Sequence, residues 1–476
     1  MSAETKTSLP ENIADTARRM RDGSLGSEVL TEHYLSCIEK LQPTLNAFIT
    51  VTASQALEQA RKLDAELAAG KDRGPLHGIP VVYKDNIDTK GIPTTVGSEH
   101  FRDRVPAEDA AIVRRLSAAG AVMLGKSNMS EFASGSSGVN VFHGNVHNPW
   151  DLTRAPGGSS SGTGVAIAAG MCMVGVGTDS GGSIRQPASR LNLVGLRPTF
   201  GRVSLAGVWP RTRTLGAGGP MARNVADAAL LLNALAGYDP GYPPSLNVPA
   251  EDYTATLGDG LRGVRIGIID DFTFRDIDED VAGAVRGAVD LLRELGAEIQ
   301  VLDRSVISSS LDYSTLFVNV LLYEFHQILG DHYRNAKDRE RRFGPMVHSD
   351  IERGAKVSRE TYDKIRADRA QHARRFKAVF ERVDALLTPS LPNVPPLQTE
   401  GPEVWARGRQ FNLPFSFIGV PAMSMPCGFS AGGLPIGMQL VANELQESVL
   451  LRIGAAYERA AGHCARRPPL HCCHGG

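Results

Sequence analysis

The sequence predicts an α/β fold, and three observations carry that expectation. From Gly74 onward, short β-branched runs set off by glycine and proline alternate with amphipathic helical stretches. No segment repeats at a fixed period. The 476 residues correspond to roughly three domains at about 150 residues each, yet no long low-complexity linker divides them, so one large domain is favoured.

The elements follow in chain order. Leu25 to Leu41 and Thr52 to Ala69 repeat apolar residues at three- and four-residue spacing, which predicts two helices with a short strand, Ala47 to Val51, between them. Residues 1–70 are therefore expected to form a helical segment packing on the core. Ile79 to Tyr83, Ala121 to Leu124 and Met173 to Gly177 read as strands, and Asp109 to Ala119 and Val225 to Ala236 as helices. A second half opens with a strand, Val264 to Ile269, followed by a helix, Asp278 to Leu295, and a strand, Glu298 to Leu302. Asp331 to Arg382 is helical, with 15 Lys+Arg against 9 Asp+Glu. Its charges interleave in sign, which favours a solvated helix surface over a nucleic-acid face. Pro389 to Pro402 is a proline-rich loop.

Composition excludes several classes. With 51 Lys+Arg against 52 Asp+Glu, the formal charge of −1 supplies no general attraction to nucleic acid or to an anionic membrane. An apolar fraction of 42% and a charged fraction of 22% rule out a disordered, collagenous or disulfide-scaffold chain. Met1 to Pro10 is polar and shows no signal peptide, and no apolar run is long enough to span a bilayer, so a cytoplasmic location is expected. Six cysteines agree with a reducing compartment, and Cys37, Cys172 and Cys427 read as lone buried side chains. The ending His471-Cys472-Cys473-His474 suggests a metal site, but adjacent residues do not readily converge on one tetrahedral ion. Following Pro468-Pro469, residues 466–476 are expected to be a mobile tail, and no metal or other cofactor is expected.

The feature out of line is glycine, at 50 residues, and the excess is local: nine lie between Gly157 and Gly182. Such density implies backbone that adopts positive φ or approaches something closely. A phosphate loop is excluded because no lysine follows the last glycine of Gly157-Gly158-Ser159-Ser160-Ser161-Gly162-Thr163-Gly164. A dinucleotide fingerprint fails because Ser180 stands where the third glycine belongs. Gly158-Ser159-Ser160-Ser161-Gly162 formally matches a nucleophile elbow with Ser160 at its tip, but the elbow needs a preceding strand, and Asn148 to Pro156 reads as a turn-rich loop.

Ser183 is better placed as a nucleophile. It follows the strand Met173 to Gly177 and ends a Ser180-Gly181-Gly182 turn whose successive amides could converge on an oxyanion. A serine needs a base. Lys84, which ends an apolar strand and is followed by Asp85-Asn86, can serve if desolvation lowers its pKa.

The stretch Gly157 to Ala188 resembles the signature of the amidase signature family of serine hydrolases. Gly74 to Pro80, Lys84-Asp85-Asn86, Leu124 to Met129, Glu131-Phe132, Gly195 to Thr199, Gly219-Pro220-Met221, Gly419 to Ala422 and Gly433 to Gly437 are similar to further family segments. The likeness runs in register from about Pro43 to Ala442. It implies a single large catalytic domain, residues 71–465, with a mixed central β-sheet flanked by helices. It also implies a Ser-Ser-Lys triad: Lys84 as base, Ser159 on an unusual cis peptide as proton bridge, and Ser183 as nucleophile. The amides of Ser180, Gly181, Gly182 and Ser183 would form the oxyanion hole, and Asp179 and Arg185 would hold the turn. The implied activity is hydrolysis of a non-peptide C–N bond, in an amide, aryl amide or carbamate (urethane), through an acyl-enzyme.

One branch of the family is the glutaminase subunit of tRNA amidotransferases, where an acid shortly before the Gly-x-Pro-Ala motif receives the glutamine α-ammonium. Here no Asp or Glu occurs from Val404 to Asn443, and Arg407, Arg409, Phe411, Phe415 and Phe417 stand in that stretch. This favours a free-standing amidase acting on an uncharged or acidic small molecule, without nucleic acid or membrane as partner; a homodimer is left open. Met129, Phe132, Phe317, Tyr323, Arg409 and Phe415 are the candidate pocket residues, with Tyr313 beside them.

Overall fold

Eleven strands of the described residues join in one mixed sheet that runs through the protein. The structure is a computed structural model and describes residues 9–249, 251–306 and 313–472. In chain order the strands are β1 (Phe48–Val51), β2 (Pro80–Lys84), β3 (Val122–Ser127), β4 (Val174–Asp179), β5 (Val194–Arg197), β6 (Ala217–Ala222), β7 (Arg265–Ile268), β8 (Glu298–Val301), β9 (Ala385–Pro389), β10 (Ala422–Phe429) and β11 (Pro435–Ala442). Across the sheet they run β1-β3-β2-β4-β6-β5-β10-β11-β9-β7-β8. β3, β2 and β4 are mutually parallel, as are β9, β7 and β8, and the strands between these two groups pair antiparallel.

The parallel group β3-β2-β4 positions the site. In a parallel sheet the carboxyl ends of neighbouring strands open on one edge, where backbone leaves the ladder and side chains converge. Here those ends are Lys84, Ser127 and Asp179. Lys84 pairs with Ser127, and Tyr83 pairs with Val176, so Lys84 lies one step from the Gly177-Thr178 register of β4. The helix Ser161–Ala168 packs across this group with every residue buried, which explains why its sequence is apolar or small all round. Gly162 is required there: a Cβ would stand 2.2 Å from the Ala47 carbonyl oxygen.

The N-terminal segment is helical as expected, with helices Ile13–Arg21, Ser27–Leu45 and Ala53–Ala68. It is also part of the sheet, because β1 pairs antiparallel with β3. Asp331 to Arg382 falls on helices Tyr313–Asn335, Arg339–Arg342, Pro345–Ala355 and Arg359–Lys377, and exposed ion pairs such as Arg359 with Asp363 occupy its solvent face. No helix of the described residues is long and apolar enough to cross a membrane.

Two expectations are corrected at the end of the chain. Residues 466–472 pack on the core: the Cys472 amide donates to the Ala169 carbonyl at 2.9 Å, and His471 is buried against Gly170. Cys37 is not a lone thiol, because it forms a disulfide with Cys472. A bond between residues 435 apart in sequence gives no local signal, so it could not be read from either cysteine's surroundings. Cys473 and His474 lie outside the described residues.

Candidate active site

Lys84 is fully buried at the end of β2, with Nζ 2.7 Å from Ser159 Oγ and 3.0 Å from Thr178 Oγ1. Burial brings its pKa from 10.5 down to about 7, with the Asp179 charge pulling partly the other way. At neutral pH a large share of this amine is therefore unprotonated and able to accept a proton. Thr178 is held in turn by Asn86 Nδ2, which donates to its Oγ1 at 3.1 Å and to the Trp209 carbonyl at 3.3 Å. Asn86 is legible in the sequence only as part of a motif, and Thr178 gives no sequence signal beyond ending a glycine-rich strand.

Ser159 follows a cis peptide bond, Gly158–Ser159, and is fully buried. Its carbonyl accepts from the Ser130 amide at 3.3 Å, and the next amide, Ser160, donates to the Ser183 carbonyl at 3.2 Å. The loop carrying Ser159 is thus tied by backbone to the turn carrying Ser183. Ser183 is half-buried, and among the described residues no hydrogen bond joins its hydroxyl to Ser159. Ser160 does not act as an elbow: no strand precedes it, and its buried hydroxyl donates to the Thr178 carbonyl at 3.3 Å.

The Ser180–Ser183 turn is built around a carboxylate. Asp179 accepts from the Gly182 amide at 2.7 Å and the Ile184 amide at 3.2 Å. Arg185 grips the same carboxylate at 3.0 and 3.1 Å and reaches onward to Gln439 at 2.7 Å and Ser416 at 2.6 Å. Burial alone would raise the Asp179 carboxyl, but the Arg185 and Arg197 guanidiniums beside it hold it below the usual carboxylate range. This corrects the four-donor expectation, because the Gly182 amide is already engaged by Asp179. The amides of Ser180, Gly181 and Ser183 carry no hydrogen bond among the described residues, which leaves three donors. Gly182 has φ +115°, and a Cβ there would stand 2.6 Å from Asn412 Oδ1, a buried oxygen without a hydrogen bond.

The candidate pocket residues divide. Phe317 meets the turn, its Cζ lying 2.9 Å from where a Cβ on Gly181 would stand, with Leu413 on the same spot. Phe415 is fully buried against Phe376, in the same apolar cluster as Phe317 and Leu413. Tyr323 stacks on Tyr362 at 4.2 Å. Met129 and Phe132 are buried in an aromatic cluster with Phe101, Phe325 and Phe343, so the Glu131-Phe132 segment reaches the site through the backbone of Ser130. Arg409 is exposed and makes no ion pair among the described residues, whereas Arg407 is tied to Asp278 at 3.1 Å.

The structure thus brings the buried Lys84 amine against Ser159 and ties the loop of Ser159 to the turn of Ser183 through backbone. The family model described as Amidase matches residues 29–451. The chain belongs to the amidase signature family. Within it, the chain is similar to a glutamyl-tRNA(Gln) amidotransferase subunit from Cyanothece sp. (strain PCC 7425 / ATCC 29141), at 39% identity over 96% of this chain and all of that protein. Among solved structures of amidase signature enzymes it is similar to the peptide amidase of Stenotrophomonas maltophilia, with a TM-score of 0.85 and 33% identity over 98% of both chains. A third likeness is to a protein from a vestigial complex that reveals the origins of an s-triazine catabolic enzyme, with a TM-score of 0.87 and 30% identity over 94% of this chain and 98% of that one.

Proposed function

We propose that this amidase signature enzyme cleaves a C–N bond through a Ser183 acyl-enzyme, with Lys84 as base and Ser159 as proton bridge. The observation that carries it is the buried Lys84 amine 2.7 Å from Ser159 Oγ, on a loop whose backbone is bonded to that of Ser183. Neutral Lys84 takes the Ser159 proton as Ser159 takes the Ser183 proton, and Ser183 Oγ attacks the carbonyl carbon. The resulting oxyanion is received by the amides of Ser180, Gly181 and Ser183. On collapse Ser159 returns a proton to the leaving nitrogen and recovers one from Lys84, leaving an ester on Ser183. Water enters by the same relay and releases the acid.

For the substrate, the curated relatives reverse the order that the sequence alone suggests. Identity of 39% along the whole length of a glutamyl-tRNA(Gln) amidotransferase subunit supports the glutaminase reading better than the free-standing one. On that reading the scissile group is the glutamine side-chain amide, and the ammonia passes to a partner protein. One observation favours the second reading, a free-standing amidase for an amide, aryl amide or carbamate: the stretch Val404 to Asn443 carries no carboxylate for an α-ammonium, and the groups over the turn are Phe317 and Leu413.

The test is amine release from glutamine, anilides, aliphatic amides and carbamates by the purified chain, alone and with candidate amidotransferase partners. Glutamine turnover that rises with a partner supports the first reading. Turnover of an uncharged amide by the chain alone, without glutaminase activity, supports the second. Labelling by a serine-directed fluorophosphonate anywhere but Ser183 overturns the shared mechanism.

A further inference from the structure

His33, Cys37 and Cys472 stand away from the catalytic turn and belong to no step of the chemistry above. His33 and Cys37 lie four residues apart on one face of the helix Ser27–Leu45, and Cys472 reaches them from the end of the described chain. His33 Nε2 is 3.5 Å from Cys37 Sγ, and the three donor atoms all fall within 4.8 Å of one another. Bond lengths of about 2.3 Å for Zn–S and 2.0–2.1 Å for Zn–N put a sulfur and a nitrogen on one tetrahedral ion about 3.5 Å apart, and two sulfurs about 3.8 Å apart. The His33–Cys37 spacing already meets the first condition. With Cα atoms 5.5 Å apart, the two cysteines can meet the second by side-chain rotation.

The geometry points to a redox-gated zinc site: a disulfide when oxidised, and a His-Cys-Cys chelate of a soft divalent cation when reduced. Its ligands differ from the run of adjacent residues at the end of the sequence, because two of the three come from a rigid helix. Cys472 is held in reach independently of the sulfur bond, by its amide to the Ala169 carbonyl and by Leu470 to the Pro149 carbonyl. A dithiol cleaves the S–S bond by supplying two electrons and two protons and becomes a disulfide; a phosphine supplies the two electrons, water supplies the two protons, and the water oxygen ends on the phosphine oxide; either route gives two thiols. Each thiol then loses its proton to solvent as its sulfur takes the metal, and the neutral imidazole completes the set. Zn²⁺ with two thiolates and a neutral histidine carries no net charge, which suits this partly buried position. Water fills the fourth place. In either redox state the last described turn of the chain stays fastened to the helix Ser27–Leu45.

The test uses the full chain, reduced with a phosphine, freed of metal by chelator and desalted. Titration with Co²⁺ should give one ion per chain, with a thiolate-to-cobalt charge-transfer band and tetrahedral d–d absorption. Cys37→Ser should at least halve the charge-transfer intensity per bound cobalt and His33→Ala should weaken binding at least tenfold, while Cys464→Ser leaves both unchanged. Stoichiometric Zn²⁺, but not Mg²⁺, should also protect Cys37 and Cys472 of the unmutated reduced chain from iodoacetamide, which does not depend on any variant folding. Absence of the charge-transfer band in the reduced wild type, an undiminished band in Cys37→Ser, or alkylation unaffected by Zn²⁺ overturns the site.

Discussion

The burial that brings Lys84 down to about 7 predicts an acid limb in the rate. As a base the amine works only when neutral, so activity is lost as pH falls. At pH 7 about half of the enzyme carries a neutral Lys84, whereas a lysine at the ordinary 10.5 would be neutral in roughly one molecule in 3,000. At pH 6 the neutral fraction is about one-tenth, and further down the rate falls about tenfold for each step of one in pH. The assay is kcat/KM from about pH 5 to 9.5 on any turned-over amide, since kcat/KM reports ionisations of the free enzyme. The same shift acts on stability. Between about 7 and 10.5 the unfolded chain holds a proton on this lysine that the folded chain has lost, so this group's contribution to stability rises with pH across that window. At pH 7 the penalty is about 4 kcal/mol relative to pH above 10.5. Lys84→Met should therefore abolish turnover and raise resistance to denaturant at pH 7, with its advantage over wild type shrinking toward pH 10. A kcat/KM profile level from about pH 5 to 8, or a stability difference that does not change with pH, would refute the buried-base reasoning.

Three further outcomes are expected. Ser183→Ala should eliminate both turnover and fluorophosphonate labelling without a change in thermal midpoint, whereas Ser159→Ala should lower kcat and leave Ser183 in place. Gly182→Ala forces a side chain into a φ of +115° and against Asn412; by disturbing the turn it should lower kcat about 10²–10³-fold, the loss seen when an oxyanion donor is removed. Glu324 accepts from the Arg213 amide at 2.7 Å, the Thr214 hydroxyl at 2.6 Å and the Tyr362 hydroxyl at 2.8 Å, so Glu324→Ala strands one buried and two partly buried donors and should destabilise the fold by roughly 2–3 kcal/mol, read by urea denaturation.

Much of the site is legible without the fold. Lys84 ends an apolar run with a strand's composition, and that run is β2. The glycine surplus marks the backbone that must pass close to other backbone, as Gly162 does against Ala47. Local composition carries this information because the residue type itself records the constraint, even where the partner, as with Ala47, lies far away in the chain. The strands β5, β6, β10 and β11 do not stand out in the sequence, since glycine, proline and methionine interrupt their β-branched pattern, and long-range pairing stabilises them instead. The aromatic residues mislead for the converse reason. Phe415 and Phe132 have the composition of a pocket, but whether a buried ring faces substrate or Phe376 depends on which helix packs behind it.

By itself, then, the sequence determined the α/β class, the family resemblance and the three side chains proposed to react, because those are read from residue types within short motifs. Tertiary structure alone decided their surroundings. The desolvation of Lys84 comes from strands and loops far away in the chain. The commitment of the Gly182 amide to Asp179 comes from a carboxylate that Arg185 and Arg197 hold in place. The meeting of Cys37 with Cys472 joins the two ends of the described chain. Each of these is a matter of what surrounds a group, and surroundings are assembled only when residues hundreds of positions apart are brought together.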